Sequence, residues 1–186
     1  MTAVAKEALL SVDEYLAAEP SREIKHEYVG GHIYAMTGAS IAHNLIALSL
    51  ARALWAHLQG GPCQVFVADV KVRLRVAEQE VFYYPDVFVA CRQDQDAHDY
   101  RRFPNTVIEV LSDTTARTDR REKFLAYQTI DSLHEYVLVA QDEPRLTVFR
   151  RENGWRPEDV GGEGTLALPS LRFSMSVADV YEGTHL

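Results

Sequence analysis

Residues 107–127 read VIEVLSDTTARTDRREKFLAY, an apolar run followed by a polar turn and a helical pattern. Glu109 interrupts the apolar run, and a charged side chain in a buried strand is costly unless it has a partner or a cation. The polar turn can begin a helix over about residues 116–130. On that helix Lys123 shares a stripe with Tyr127, so its side chain should point toward the sheet. This stretch predicts a strand–turn–helix unit with two opposite charges turned inward.

Helical and strand patterns alternate before this unit. Residues 40–58 predict a helix that Gly60-Gly61-Pro62 ends. Residues 70–76 alternate apolar and basic side chains, which predicts a half-buried strand with one solvated basic face. Residues 81–90 predict another strand, which Pro85 should place at a sheet edge or a bulge. The apolar side chains at helical spacing in the predicted helix are Ile41, Leu45, Leu48 and Trp55.

The order of elements predicts the fold class. Helices come first, then a strand meander, a crossover helix and more strands, which favours an α/β fold with a mixed central β-sheet. The 186 residues suffice for a single domain, 1–186. The shorter predicted elements are a first helix capped by Ser11 and Glu14, an irregular link or short strand at 23–34, a hairpin at 135–140 and 146–150, and a possible strand at 166–171.

Composition restricts the classes of function. The net charge of −8 argues against a sequence-blind DNA-binding protein, so contact with nucleic acid would need a local basic patch. Cys63 and Cys91 lack metal-type spacing, which predicts reduced thiols and a cytoplasmic protein. Residues 28–51 carry no Asp, Glu, Lys or Arg, but glycines, histidines and an asparagine interrupt them, which favours a buried helix over a membrane span. The N-terminus does not resemble a signal peptide.

Two carboxylates on neighbouring strands suggest a metal site. Asp86 follows Pro85 where the strand should be distorted, and Glu109 lies in the strand of the opening stretch. Oxygen ligands of this kind suit Mg²⁺, and the carbonyl of Val110 could add a third. Lys123 beside them could orient an attacking water, while the metal lowers the pKa of that water.

The ordered set of motifs resembles the Uma-type restriction endonuclease family of the PD-(D/E)XK nuclease superfamily. The resemblance runs from about Leu10 to Glu182. Its motifs are His26-Glu27-Tyr28-Val29-Gly30-Gly31, the segment Gly38 to His43, Tyr84-Pro85-Asp86-Val87, Ile108-Glu109-Val110-Leu111-Ser112, Asp119 to Lys123, Tyr127 and Glu135-Tyr136.

The resemblance implies a restriction-endonuclease-like core and a metal-dependent endonuclease. Asp86 and Glu109 would bind Mg²⁺ or Mn²⁺, and Lys123 would be the catalytic lysine. Glu27 would be either a second ligand or the partner that holds the lysine. The superfamily's usual lysine position is Leu111 here, so Lys123 would reach the site from the helix. We expect nucleic acid, and DNA in particular, as the substrate, no membrane partner, and a homodimer whose two sites address two strands.

Simpler readings compete with this one. Glu109 and Lys123 could form a structural ion pair without a metal. The same fold could be a catalytically inactive module that binds nucleic acid or protein, or a small metal-dependent hydrolase with another substrate. Arg117, Arg120 and Arg121 could face water or phosphates, and His43 is interpreted as a packed or capping histidine.

Overall fold

A computed structural model gives the fold and describes residues 9–36, 38–92, 98–112 and 119–186, without the side chains of Asp119 and Arg120. The helices are α1 (Val12–Ala18), α2 (Ile41–Leu58), α3 (Phe124–Tyr127) and α4 (Val177–Val180), with a π-helical turn at Asp119–Lys123. The strands are β1 (His26–Val29), β2 (His32–Ala35), β3 (Gln64–Val67), β4 (Lys71–Val76), β5 (Gln79–Tyr83), β6 (Val87–Ala90), β7 (Tyr100–Arg101), β8 (Thr106–Leu111), β9 (Glu135–Ala140), β10 (Arg145–Arg150), β11 (Pro157–Gly161), β12 (Thr165–Leu168) and β13 (Phe173–Ser176).

A six-stranded mixed sheet forms the centre of the described part of the chain. Its strand order is β11-β10-β9-β8-β6-β3, with β8 and β9 parallel and the other neighbours antiparallel. Helix α2 covers one face, where Ile46, Leu50 and Leu54 pack against the apolar side chains of the sheet. The buried apolar face of the helix and that of the sheet exclude water from one another, which holds this layer together.

A second mixed sheet, of order β2-β1-β5-β4-β7, covers the opposite face. Side chains of both sheets and of α3 share one hydrophobic cluster, which includes Leu74, Tyr83, Phe88 and Tyr127. The predicted α/β class with a mixed sheet and flanking helices is confirmed. The difference from the prediction is that strands as well as helices flank the central sheet.

The chain changes sheets at Pro85. Strand β5 belongs to the five-stranded sheet, and β6 lies between β8 and β3 in the six-stranded sheet. The prediction of one strand over residues 81–90, with Pro85 at an edge or a bulge, is therefore wrong. Proline has no N–H to donate, so neither ladder can continue through it, and the chain crosses from one sheet to the other there.

Helix α2 forms where it was predicted, and three of the four apolar side chains noted for their helical spacing lie on its outer face. Ile41, Leu48 and Trp55 are 81%, 60% and 61% exposed. The side chains turned toward the sheet lie on the other side of the helix, since most residues of α2 are apolar and the spacing alone does not choose a face. The buried positions are Ile46, Ser49, Leu50 and Leu54. Among the described residues, no helix has the length and apolar character needed to cross a membrane.

A disulfide joins Cys63 and Cys91. The two residues lie just beyond the antiparallel pair β3–β6, in which Gln64 is opposite Ala90. The prediction of reduced thiols is therefore wrong, because the register that brings the cysteines together was not visible in their spacing. The cysteines no longer support a cytoplasmic location.

The basic face of β4 is paired rather than solvated. Lys71 is 3% exposed, and its Nζ lies 2.6 Å from Asp99. Arg73 pairs with Glu80 at 2.9 Å. The prediction of a solvated face is wrong for Lys71, because the parallel neighbour β7 covers this end of the strand.

Candidate active site

Two carboxylates meet where the chain enters the six-stranded sheet. Asp86 directly precedes β6, and Val87 is opposite Ile108 of β8, which brings Asp86 beside Glu109. The backbone N–H of Asp86 donates to Glu109 Oε2 at 3.4 Å. In return, the N–H of Val110 donates to Asp86 Oδ2 at 2.7 Å.

These two hydrogen bonds form because β6 begins only at Val87. Strand β8 continues past the point where its pairing with β6 stops, at Val87 opposite Ile108. A buried backbone N–H needs an acceptor, and the carboxylate of Asp86 accepts from Val110 in place of a strand. The N–H and C=O of one strand residue point to the same edge, so the Val110 carbonyl also faces Asp86.

Lys123 lies between two other carboxylate oxygens. Its Nζ is 2.8 Å from Glu27 Oε1 and 3.4 Å from Glu109 Oε1. Lys123 and Glu109 are only 6% and 3% exposed. The ammonium also lies over the ring of Tyr83, 5.3 Å from its centroid. The last residue of the π-helical turn therefore delivers a buried cation to the two acids.

Glu27 reaches the site from β1 in the other sheet. Its Oε1 accepts the N–H of Tyr84 at 3.2 Å as well as the contact from Lys123. Tyr84 belongs to the segment that crosses between the sheets, so Glu27 holds that segment and the lysine together. Of the two roles predicted for Glu27, this geometry supports the partner that holds Lys123.

Two tyrosines complete the buried surroundings. The hydroxyl of Tyr127 donates to Glu109 Oε1 at 3.4 Å. Burial, and then the charge of Glu109, raises the pKa of Tyr127 well above its ordinary value. Burial and the nearby charge of Glu27 raise the pKa of Tyr83 to about 12. Both hydroxyls therefore stay protonated at neutral pH and can donate.

His43 is a site residue that the sequence reasoning missed. Its Nε2 lies 3.2 Å from Asp86 Oδ2, and its side chain is 14% exposed. Its backbone N–H donates to Ser40 Oγ, so the capping interaction uses the main chain and leaves the imidazole at the acid. A signal was present: His43 precedes the buried Ile46 by three residues and lies on the same side of α2.

The predicted residues thus lie in one neighbourhood: Lys123 contacts both Glu27 and Glu109, and the backbone N–H of Asp86 donates to Glu109. Among the residues that the structure describes, no group of three or more His, Cys, Asp or Glu side chains has the spacing of a metal cage. Mg²⁺ commonly uses one or two carboxylates and completes its shell with water and phosphate. The oxygen donors of Asp86 and Glu109 fit that ion, with the Val110 carbonyl beside them.

The fold and these residues define a restriction-endonuclease-like α/β protein, in which acids at neighbouring central strands lie next to a buried lysine. Residues 12–178 match the Uma2 family, whose description is "Putative restriction endonuclease". The chain belongs to this family, and the match supports a nuclease as the class of activity.

Individual relatives agree with this assignment. Two uncharacterized proteins of Synechocystis sp. are each 32% identical to the chain, over 94% and 88% of its length and 92% and 94% of their own. A solved structure, described as "a putative nuclease belonging to DUF820" from Anabaena variabilis, superposes with a TM-score of 0.73 at 18% identity. It covers 92% of this chain and 97% of its own, and at this identity the likeness shows the fold.

Proposed function

We propose that the chain is a divalent-metal-dependent endonuclease that hydrolyses phosphodiester bonds of DNA, with Mg²⁺ or Mn²⁺ as the metal. The observation that carries the proposal is the buried Lys123, which contacts Glu27 and Glu109 beside Asp86. Removing a lysine and its carboxylate partners from water costs free energy, and buried charges of this kind cluster at functional sites.

Asp86 and Glu109 would hold the metal, and the Val110 carbonyl faces the same place. When bound, the metal would lower the pKa of a water and offset charge on the phosphate. The protein's part is to fix the two carboxylates before substrate arrives. The paired backbone bonds of Asp86 and Val110 support that role, because each acid is anchored on the other's strand.

Lys123 would orient the attacking water and stabilise charge that develops on the phosphate. Glu27 would hold the ammonium in place, and the 2.8 Å contact supports this role. Tyr127 would fix the carboxylate of Glu109 through its hydrogen bond to Oε1. His43 would orient Asp86 from α2, which makes it a positioning residue.

Further expectations belong to this proposal. Residues 1–186 would form a single domain, and a homodimer would present two sites to two strands. The expected cytoplasmic location would rest on a DNA substrate alone. The cysteines do not support it, because Cys63 and Cys91 form a disulfide.

Nicking of supercoiled plasmid DNA tests the proposal. We expect cleavage with Mg²⁺ or Mn²⁺ that is lost with EDTA and falls at least about 100-fold in Asp86→Asn, Glu109→Gln and Lys123→Met. Glu78→Gln is the matched control, because the side chain of Glu78 is 90% exposed in a surface ion pair and should leave the rate unchanged. Undiminished cleavage in Asp86→Asn and Glu109→Gln would refute the assignment of these acids.

A catalytically inactive nuclease-fold module is the second candidate. Leu111 occupies the superfamily's usual lysine position, and no cage of three ligating side chains is present among the described residues. DNA binding without cleavage under any divalent metal would favour this module. Cleavage of a small phosphodiester but not of DNA would favour the third reading, a hydrolase with another substrate.

A further inference from the structure

Tyr34 lies on the strand next to Glu27 and on the same side of the five-stranded sheet. In the antiparallel pair β1–β2, Tyr34 is directly opposite Glu27. Side chains of directly opposite residues share one face of a sheet, with Cβ atoms about 5 Å apart. The next opposite pair, Tyr28 and Ile33, lies in a hydrophobic cluster on the other face. The side chain of Tyr34 therefore projects from the same face as the carboxylate that contacts Lys123 at 2.8 Å.

The ring of Tyr34 is open to solvent. Strand β2 is an edge of the five-stranded sheet, and Tyr34 is 56% exposed. Within the part of the chain that the structure describes, no hydrogen bond and no ring contact engages this side chain. Tyr83, Tyr84 and Tyr127 near the site are by contrast buried. The ring of Tyr34 thus adds little to the core and presents an aromatic surface at the border of the site.

The four charged groups of the candidate site are recessed. The side chains of Glu27, Asp86, Glu109 and Lys123 are 15%, 18%, 3% and 8% exposed. A phosphate that reaches them has to enter below the protein surface, and a flexible strand does this at a lower cost than a stiff duplex. The nucleotide next to that phosphate then lies near Tyr34, because Tyr34 adjoins Glu27.

Attraction of phosphates is weak on this chain. The net charge is −8, whereas proteins that bind DNA through its phosphates neutralise several of them with Lys and Arg. Lys25, which directly precedes β1, is paired with the exposed Asp69. Contact with the bases therefore has to supply part of the affinity, and an exposed aromatic ring supplies it by stacking.

We propose that Tyr34 stacks on an unpaired nucleobase next to the phosphate that is cleaved, so that the substrate is DNA with unpaired bases at the cleavage point. This assignment rests on the proposed DNA substrate and adds a residue that selects among DNA forms. The face of a base is open in a single strand and in a locally opened duplex. In a paired duplex the neighbouring bases cover both faces, and exposing one costs unstacking and unpairing free energy.

DNA binding measured by fluorescence anisotropy tests the stacking, and cleavage is assayed separately. Ca²⁺ replaces Mg²⁺ in the binding assay, because it also takes carboxylate and carbonyl oxygens as ligands. The probes are a labelled single strand of about 15 nucleotides, its perfectly paired duplex and the same duplex with mismatched central pairs. We expect the native protein to bind the single strand and the mismatched duplex at least about 10-fold more tightly than the paired duplex.

Substitutions at Tyr34 separate stacking from a general effect on the surface. We expect Tyr34→Ala to weaken binding of the single strand by about 5- to 150-fold, the range of one base–aromatic stack. Tyr34→Phe keeps the ring and should bind as the native protein does. Tyr34→Leu keeps apolar area but lacks the aromatic face, so it should resemble Tyr34→Ala. Trp55→Ala is the matched control, since Trp55 is 61% exposed on α2 and should leave the affinity unchanged.

Binding and cleavage together separate the stacking from the proposed function. Binding that depends on Tyr34, without cleavage in Mg²⁺ or Mn²⁺, would sustain the stacking and contradict the endonuclease. A Tyr34→Ala protein with native affinity for the single strand would overturn the stacking, and DNA cleavage by that protein would leave the endonuclease standing. Equal affinity of the native protein for the single strand and the paired duplex would also overturn the stacking, as would a failure to bind all three probes.

Discussion

Lys123 is a buried cation with two acidic neighbours, and its energetics differ from those of a surface ion pair. Glu27 and Glu109 both lie within 3.4 Å of its ammonium. A neutral residue at position 123 would remove the ammonium that contacts both Glu27 and Glu109, and Glu109 is only 3% exposed. The cost comes from the charges left behind rather than from the value of the pair itself.

We expect Lys123→Met to lower the free energy of unfolding by about 3 kcal/mol, because it removes one partner of a buried ion pair. Urea unfolding measures the change. Lys25→Met is the control: Lys25 pairs with Asp69 at the surface, where their side chains are 45% and 77% exposed, and an exposed pair contributes about 0–1 kcal/mol. Equal effects of the two variants would contradict the buried role.

His43 should set the position of Asp86. We expect His43→Ala to weaken Mn²⁺ binding by about 10- to 100-fold, as loss of a positioning partner does, and His43→Gln to lose less because it retains an N–H donor. Titration calorimetry with Mn²⁺ alone measures this without substrate. His57→Ala is the matched control, since His57 lies on the same helix but contacts the carbonyl of Leu171. Unchanged affinity in His43→Ala would remove the positioning role.

Tyr83 should make the protein sensitive to alkali. Burial raises its pKa to about 12, whereas an unfolded tyrosine titrates near about 10. The folded state then holds its proton more tightly, so this contribution is present below about pH 10 and is lost as pH rises toward about 12.

We expect the fall in unfolding free energy between about pH 8 and about pH 11 to be roughly 1 kcal/mol smaller in Tyr83→Phe than in the native protein. Urea unfolding at the two pH values measures the difference. Tyr34→Phe is the control, because Tyr34 is 56% exposed and should leave the fall unchanged. An identical fall in the Tyr83 variant would show that its hydroxyl titrates normally.

At the scale of elements, the hairpin of β1 and β2 carries Glu27 into the site. Its two-residue turn has positive φ at both positions, 56° at Gly30 and 99° at Gly31. Such a turn favours glycine at both positions. The strand pattern at residues 23–34 is short, which is why the sequence predicted only an irregular link or short strand there.

We expect Gly31→Ala to destabilise the protein by about 1–3 kcal/mol, since the new Cβ meets a backbone conformation that L-residues avoid. That Cβ would also lie 2.9 Å from the Cβ of Leu9. Gly38→Ala is the control, because its Cβ would meet nothing within 4 Å and its φ is not positive. Thermal unfolding compares the two, and equal midpoints would contradict the strain.

The crossing at Pro85 was the element least visible in the sequence. Apolar residues continue on both sides of the proline, so periodicity alone predicts one strand over residues 81–90. Only the pairing of β5 with β4 and of β6 with β8 separates them. By contrast, the strand predicted for the apolar run that contains Glu109 forms as β8, because the polar turn after it marks its end.

At the scale of the whole molecule, the disulfide ties the edge strand β3 to the central strand β6. Cys63 and Cys91 are separated by 28 residues in sequence. A crosslink over a loop of this length lowers the conformational entropy of the unfolded chain. In the chain-entropy treatment this stabilises the folded state by about 3–4 kcal/mol.

We expect reduction by dithiothreitol to lower the unfolding free energy by about 2–4 kcal/mol. Urea unfolding with and without the reductant measures the change. The double variant Cys63→Ala with Cys91→Ala should match the reduced protein and should show no response to the reductant. A native protein that is also unaffected would mean that the thiols are unpaired in solution.

The sequence by itself determined the α/β class, the helix at residues 40–58 and the residues that could carry chemistry. Local periodicity, turn residues and an acid within an apolar strand are properties of neighbouring residues, so a sequence displays them. The tertiary structure decided the sheet change at Pro85, the contact of His43 with Asp86, the pairing of the cysteines and the outward face of α2. Each depends on strand register or on which side of a helix meets the core, and contacts between distant residues fix both.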